Sequence, residues 1–223
     1  PDNNFLPATG TLQVYGLPTH AAFEHAAGAV RVDSGVRQGD TISPFYDSMV
    51  AKLIVHGATR AEALARLDAA LAQTHIVGLA TNVQFLRHVT TSASFAKAEL
   101  DTALIPREAA VLFHQDKVGL PLAAAALVAH TLQAEQVQAA ATDDSGWRDP
   151  WAQRDGWRSH GPSVRSFALE YAGAPHTVLL HTQRGSLTLT VGGDTLPLAW
   201  TANASGALDV QLGSQRVQAN VYR

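Results

Sequence analysis

Apolar and polar residues keep two different rhythms along this chain. In the last third, every second residue is apolar: Phe167, Leu169 and Tyr171, then Leu187, Leu189 and Val191, then Leu196, Leu198 and Trp200, then Leu208, Val210 and Leu212. A period of two puts each set on one face of a strand. The pattern predicts strands over 164–171, 176–182, 186–191, 195–201, 207–212 and 216–222. The runs are separated by Ala-Gly-Ala-Pro, Arg-Gly, Gly-Gly-Asp, Ala-Ser-Gly and Gly-Ser, all turn-forming. Short, evenly spaced strands of this kind predict an antiparallel meander or barrel. Pro197 has no amide to donate, so it is expected at an edge or a bulge.

Upstream the rhythm is helical. Leu64, Leu67 and Leu71 form one stripe, and Thr59 followed by Glu62 is a capping box, which predicts a helix over 58–74. Ile76 and Val77 read as a strand closed by Gly78. Thr81 is expected to cap a second helix carrying Val83, Leu86 and Val89, with another turn of helix over 92–97 and a short helix over 106–113. A longer helix, 121–139, opens on Pro121, because proline at the first helical position gives up an amide that would be unpaired anyway. Its Leu122, Ala126, Ala129 and Leu132 share a face. Nearer the start, a short strand is expected around Leu12 and Tyr15. Residues 30–57 read as two extended segments flanking a turn, with Val30 and Val32 alternating with Arg31 and Asp33. The fold class changes near residues 115–120: α+β before, one helix and a β-meander after.

Composition narrows the function classes. The 223 residues are 46 % hydrophobic and 16 % charged, enough for packed cores and unlike a disordered chain. A net charge of −3 gives no footprint for nucleic acid. With no cysteine, disulfides and thiolate chemistry are excluded. The longest apolar run, near Leu120, is too short and too rich in alanine to span a bilayer, so no membrane partner is expected. The chain opens on Pro1 in mid-motif and stops in a strand-like run, so it is expected to be an internal piece of a longer protein.

Reactive constellations are scarce. There are 10 histidines, but the spacing of His176 and His181 puts them on opposite faces of one strand, and His20 and His25 do not share a helix face. No metal-ligand motif, phosphate-cradling glycine loop or Gly-x-Ser-x-Gly elbow occurs. Asn203-Ala204-Ser205 is read as a turn. Asp47 and Lys52 interrupt an apolar, turn-flanked run, where a charge is costly unless paired. They fit either a structural hydrogen bond or the rim of a lobe or interface, and Arg31 is open to the same two readings. Trp147, Trp151 and Trp157, three of the chain's 4 tryptophans, crowd one segment with Arg158. Tryptophan and arginine are favoured at interface hot spots; equally, these rings could plug the end of a barrel.

Several blocks carry a resemblance. Pro1, Phe5, Pro7 and Gly10, the Val-Arg-x-Asp of residues 30–33, the Gly39 to Asp47 block and the Met49-x-x-Lys-Leu-Ile block resemble the closing part of the biotin carboxylase domain of biotin-dependent carboxylases. Asp149-Pro150-Trp151 with Asp155-Gly156-Trp157-Arg158 resembles the start of the connecting (BT) domain in α subunits of biotin-dependent acyl-CoA carboxylases, of the methylcrotonyl type. The resemblance implies a truncated α+β lobe, the biotin carboxylase C-terminal subdomain, over residues 1–118. It implies an antiparallel β-barrel wrapped around a long helix over 119–223, with the helix at 121–139 and the barrel at 164–222. The geranyl, propionyl and acetyl types, or a non-catalytic scaffold module, remain alternatives.

In the family, ATP and bicarbonate carboxylate biotin with magnesium, and a carboxyltransferase β subunit passes the carboxyl to an acyl-CoA; for the methylcrotonyl type this is a step of leucine breakdown. The nucleotide-binding lobe and the biotin carrier domain with its Ala-Met-Lys-Met site fall outside this sequence. No catalytic, cofactor-binding or metal-binding residue is therefore expected here, and no biotin, ATP or magnesium bound by these residues alone. The partners implied are the β subunit, through Trp147, Trp151, Trp157 and Arg158; a second carboxylase domain, near Arg31, Asp47 and Lys52; and the carrier domain of the same chain. The family's location is the bacterial cytoplasm or the mitochondrial matrix.

Overall fold

The computed structural model describes residues 6–21, 30–45, 49–115, 117–140, 158, 160–203 and 206–222. The chain divides into two compact units, Pro1–Asp116 and Lys117–Arg223.

In the first unit, short strands pair over long sequence distances. Strand β1 (Gly10–Thr11) pairs with β5 (Thr41–Ile42), and β2 (Val14–Gly16) pairs antiparallel with β7 (His75–Val77). A three-stranded sheet runs β3 (His20–Ala21), β4 (Val30–Ser34), β6 (Ala51–Ile54), with β3 parallel to β4 and β6 antiparallel to it. Helix α1 (Arg60–Ala72) follows β6. Thr59 caps it by accepting from the Glu62 amide at 3.2 Å, while the Glu62 carboxylate takes the Ala58 amide at 2.8 Å, one residue beyond the capping-box position.

Helix α2 (Val83–Thr91) differs from the expectation at its start. Its N-cap is Asn82, with no side-chain cap, and Thr81 plays no part. Ser92 instead caps α3 (Ala93–Ala96) by accepting from the Phe95 amide. The helix expected over 106–113 is split into α4 (Leu104–Arg107) and α5 (Ala109–Leu112).

Glycine is required where β1 passes the end of β7. Gly78 has φ +110°, and a Cβ there would overlap the Thr11 carbonyl oxygen; a Cβ on Gly10 would lie 2.5 Å from the Gly78 oxygen.

In the second unit, helix α6 (Leu120–Ala140) precedes six strands: β8 (Ser163–Tyr171), β9 (Ala174–Gln183), β10 (Ser186–Val191), β11 (Asp194–Ala202), β12 (Leu208–Leu212) and β13 (Gln215–Ala219). They form one antiparallel sheet in chain order. Two-residue turns connect several of them: Ala172-Gly173, Arg184-Gly185 and Gly192-Gly193 all have positive φ at both positions, matching the twist of the flanking strands. Val178, Leu180, Leu189, Val191, Leu198, Leu208, Val210 and Leu212 point to one face and bury Ala124, Ala125, Val128 and Ala129 of α6. The small alanines let the sheet approach the helix closely.

The closed barrel is not observed: β8 and β13 are the sheet's two edges and do not pair with each other. Six strands are too few to close around a helix, since a barrel of about eight leaves an interior only wide enough for side chains. Pro197 is also not on an edge strand, because β11 lies between β10 and β12. Its carbonyl faces the turn at Gly213, accepting that amide at 2.8 Å, and pairing with β12 starts only at Leu198↔Leu212. The missing donor therefore falls at the end of the ladder, where the Gly213 carbonyl accepts from Gln211 Nε2 at 3.0 Å instead.

Candidate functional site

Strand periodicity assembles the charged cluster of the first unit. Arg31 and Asp33 are two apart on β4 and so share a face, and the ladder places Lys52 opposite Asp33 and Ile54 opposite Arg31. Arg31 donates from Nε to Asp33 Oδ1 at 2.8 Å and from Nη2 to Oδ2 at 2.7 Å, a bidentate fork. That hydrogen bond holds the guanidinium pKa above its usual value, against the opposing effect of burial. Val32, between them, points the other way and is buried.

On that opposite face the Tyr15 and Ser34 hydroxyls meet at 2.7 Å, and Ser34 donates to the Val36 carbonyl, fixing the turn after β4. Asp47 lies outside the described residues, so Lys52's observed neighbour is Asp33. Phe45, at 94 % exposure, and Met49 expose apolar surface beside this sheet.

A second cluster lies at the C-terminal end of α6. Arg165 donates from Nη1 and Nη2 to the two carboxylate oxygens of Glu135 at 2.7 and 2.8 Å, and its guanidinium lies 4.5 Å from the Phe167 ring centroid. The hydrogen bond to Glu135 raises the Arg165 pKa, and burial opposes it. The indole Nε1 of Trp200 donates to Gln133 Oε1 at 3.0 Å; beside the other end of the helix, the Tyr171 hydroxyl donates to the Val118 carbonyl at 2.6 Å. Arg158 is exposed. Trp147, Trp151 and Trp157 lie outside the described residues. An open trough of about 500 Å³ crosses β11–β13, with Asp209, Gln211, Arg216 and Gln218 among its lining.

Of the residues singled out from sequence, Arg31 thus pairs with Asp33, and Lys52 lies across the ladder from that aspartate. Asp33 was visible in the Val-Arg-x-Asp block but not singled out. Glu135 also had a signal, as the lone carboxylate of an otherwise uncharged helix. Among the described residues, no three potential ligands cluster to hold a metal ion, and no helix is long and apolar enough to cross a membrane.

The family model for the biotin carboxylase C-terminal domain matches residues 1–107, and the model for the methylcrotonyl-CoA carboxylase α-subunit BT domain matches residues 119–223. Both halves belong to domain families of the biotin-dependent carboxylases. The Arg31–Asp33–Lys52 cluster thus sits in the biotin carboxylase C-terminal domain, and the Glu135–Arg165 pair in the BT domain.

Among curated relatives, the mitochondrial methylcrotonoyl-CoA carboxylase α subunit of Dictyostelium discoideum is 37 % identical over 164 residues, 71 % of this chain and 22 % of that protein. The mitochondrial propionyl-CoA carboxylase α chain of Mus musculus is 30 % identical over 226 residues, 95 % of this chain and 28 % of that protein. The chain therefore spans less than a third of the length of either. Among solved structures, the biotin carboxylase domain dimer of Hydrogenobacter thermophilus 2-oxoglutarate carboxylase, in complex with MgADP, ADP and bicarbonate, is 28 % identical, with TM-score 0.46, over 52 % of this chain and 24 % of that one.

Proposed function

We propose that this chain is part of the α subunit of a biotin-dependent acyl-CoA carboxylase, of the methylcrotonyl type. In it, residues 1–118 close the biotin carboxylase domain and residues 119–223 dock the carboxyltransferase β subunit. The observation that carries this is the order of the two family matches, a carboxylase C-terminal domain followed directly by a BT domain.

The whole enzyme would use ATP, magnesium and bicarbonate to carboxylate biotin, and the β subunit would pass the carboxyl to methylcrotonyl-CoA. These residues supply a lobe and a docking surface rather than the reactive centre. The sheet and α6 are read as part of a helix-filled barrel, in keeping with alternate strand residues packing onto an alanine-rich helix.

Docking is assigned to Trp147, Trp151, Trp157 and Arg158, whose residue types suit a desolvated anchor with a charged rim. Arg31, with Asp33 and Lys52, is assigned to contact with a second carboxylase domain. A half-exposed, preorganised Arg–Asp fork suits such a polar contact better than a buried structural role.

Sedimentation of the chain with a methylcrotonyl-type carboxyltransferase subunit tests the docking role. Trp151→Ala with Trp157→Ala should weaken binding at least about tenfold, as expected for hot-spot aromatics. Undiminished binding by that variant would place docking elsewhere. The propionyl type is the second reading, favoured by an alignment that covers 95 % of this chain.

A further inference from the structure

We infer that the trough on the outer face of β11–β13 binds a small zwitterion of the α-amino-acid class, with the ligand carboxylate on Arg216 and its ammonium group on Asp209. The site is independent of the docking role proposed above. Leu198, Leu208, Val210 and Leu212 face α6, so the residues that alternate with them face the other way. Ala199, Thr201, Asp209, Gln211, Arg216 and Gln218 thus supply the side chains of the trough, and no residue of α6 lines it. Its volume of about 500 Å³ lies in the range of small-molecule sites.

The register arranges these six in two rows. Ala199, Gln211 and Arg216 stand side by side across the three strands, and so do Thr201, Asp209 and Gln218. The shorter side chains lie on β11, which leaves open space over Ala199 and Thr201.

Arg216 is oriented before any ligand arrives. Gln211 donates from Nε2 to the Gly213 carbonyl at 3.0 Å, and this fixes its Oε1, which accepts from Arg216 Nε at 3.2 Å. The two terminal nitrogens of the guanidinium have no partner among the described residues. They keep the paired geometry that receives a carboxylate in two parallel bonds.

Asp209 is the complement. It sits diagonally across β12 and β13 from Arg216, at positions about 7–8 Å apart and within reach of an arginine side chain. Yet the two form no ion pair, and the Asp209 carboxylate has no hydrogen-bond partner among the described residues. Where opposite charges stand on neighbouring positions elsewhere, Arg31 with Asp33 on β4 and Arg66 with Glu62 on α1, they pair. Arg216 is instead turned to a neutral amide, so an exposed cation and an exposed anion share one trough. An anion alone is repelled by Asp209, and a cation alone by Arg216. A ligand carrying both charges a few bonds apart satisfies both, which is the chemistry of an α-amino acid. Thr201 and Gln218 flank Asp209 in its row, and their oxygens can take the remaining ammonium protons.

The test follows the backbone amide shifts of the full chain by NMR as L-alanine is added to about 50 mM, with N-acetyl-L-alanine and L-alanine amide as ligands lacking one charge. Saturable shifts centred on residues 199–201, 209–211 and 216–218 are expected, with a Kd of about 1–10 mM, as befits two solvent-exposed ionic contacts. Each one-charge ligand should bind at least about tenfold more weakly, and so should L-alanine to Asp209→Asn or Arg216→Gln. A thermal melt checks that the variants fold, and the nearly isosteric Asp209→Asn decides if Arg216→Gln does not. No saturable shift at those residues, equal binding of either one-charge ligand, or undiminished binding by either folded variant would each overturn the site.

Discussion

Replacing Gly78 with alanine tests how the first unit is held together. Gly78 closes β7 at φ +110°, and a Cβ there would overlap the Thr11 oxygen and sit 3.1 Å from the Gln13 amide nitrogen. The backbone conformation alone costs a side chain about 1–2 kcal/mol. Clearing the oxygen requires β1 and β2 to lift from β7, at the expense of the 2.9 Å bond from the Gln13 amide to the Val77 carbonyl. That loss is worth about 1 kcal/mol, and loosening the fully buried Leu12 between these strands adds roughly another.

The total is about 3–4 kcal/mol, a fall of about 2 M in the urea midpoint if the unit's slope is about 1.5–2 kcal/mol/M. Gly39 is the matched control. Its φ is +94° and nothing lies within 4 Å of where its Cβ would be, so Gly39→Ala should show the conformational cost alone, about 1–2 kcal/mol. Urea unfolding followed by circular dichroism compares the two. Equal midpoint shifts would refute the crowded crossing of β1 over β7.

Other outcomes follow from single sites. Ala172 and Arg184 hold φ of +51° and +49° in tight turns, so Ala172→Asn or Arg184→Asn should each add about 0.5–1 kcal/mol and raise Tm by a few degrees, whereas lowered melting would contradict the turn geometry. The hydrogen bond from Arg107 holds the Asp101 carboxyl below its usual pKa, helped by the Ala103 amide. A depressed folded pKa means its contribution is present above the unfolded value and is lost as pH falls through the folded one, so the start of α4 should loosen only below the usual carboxylate range. Side-chain NMR titration of Asp101 checks this, and an ordinary or raised pKa would contradict it.

What the sequence made legible follows from local period and turn chemistry. The strand alternation from Phe167 to Leu212 and the glycine-bearing turns are local signals, and those strands form in that order. Thr59 and Glu62 announced the start of α1. Two features escaped because partners distant in sequence decide them: β2 pairing with β7, and the edges of the last sheet staying apart. The Thr81 expectation failed for a different reason, since α2 starts behind Asn82 without any side-chain cap. At the candidate sites, Lys52 is legible as a charge in an apolar run and Arg31 in the Val-Arg-x-Asp block. That Asp33, the partner of Arg31, stands across the ladder from Lys52 follows only from the register. Arg165 and Glu135 are thirty residues apart, beyond any periodic signal.

The docking proposal for residues 119–223 is put at risk by titration calorimetry of the full chain against methylcrotonyl-type and propionyl-type carboxyltransferase subunits. Saturable binding to the methylcrotonyl type, tighter than to the propionyl type, is the expected result. No heat of binding with either, at concentrations where the chain is folded, would refute the proposal.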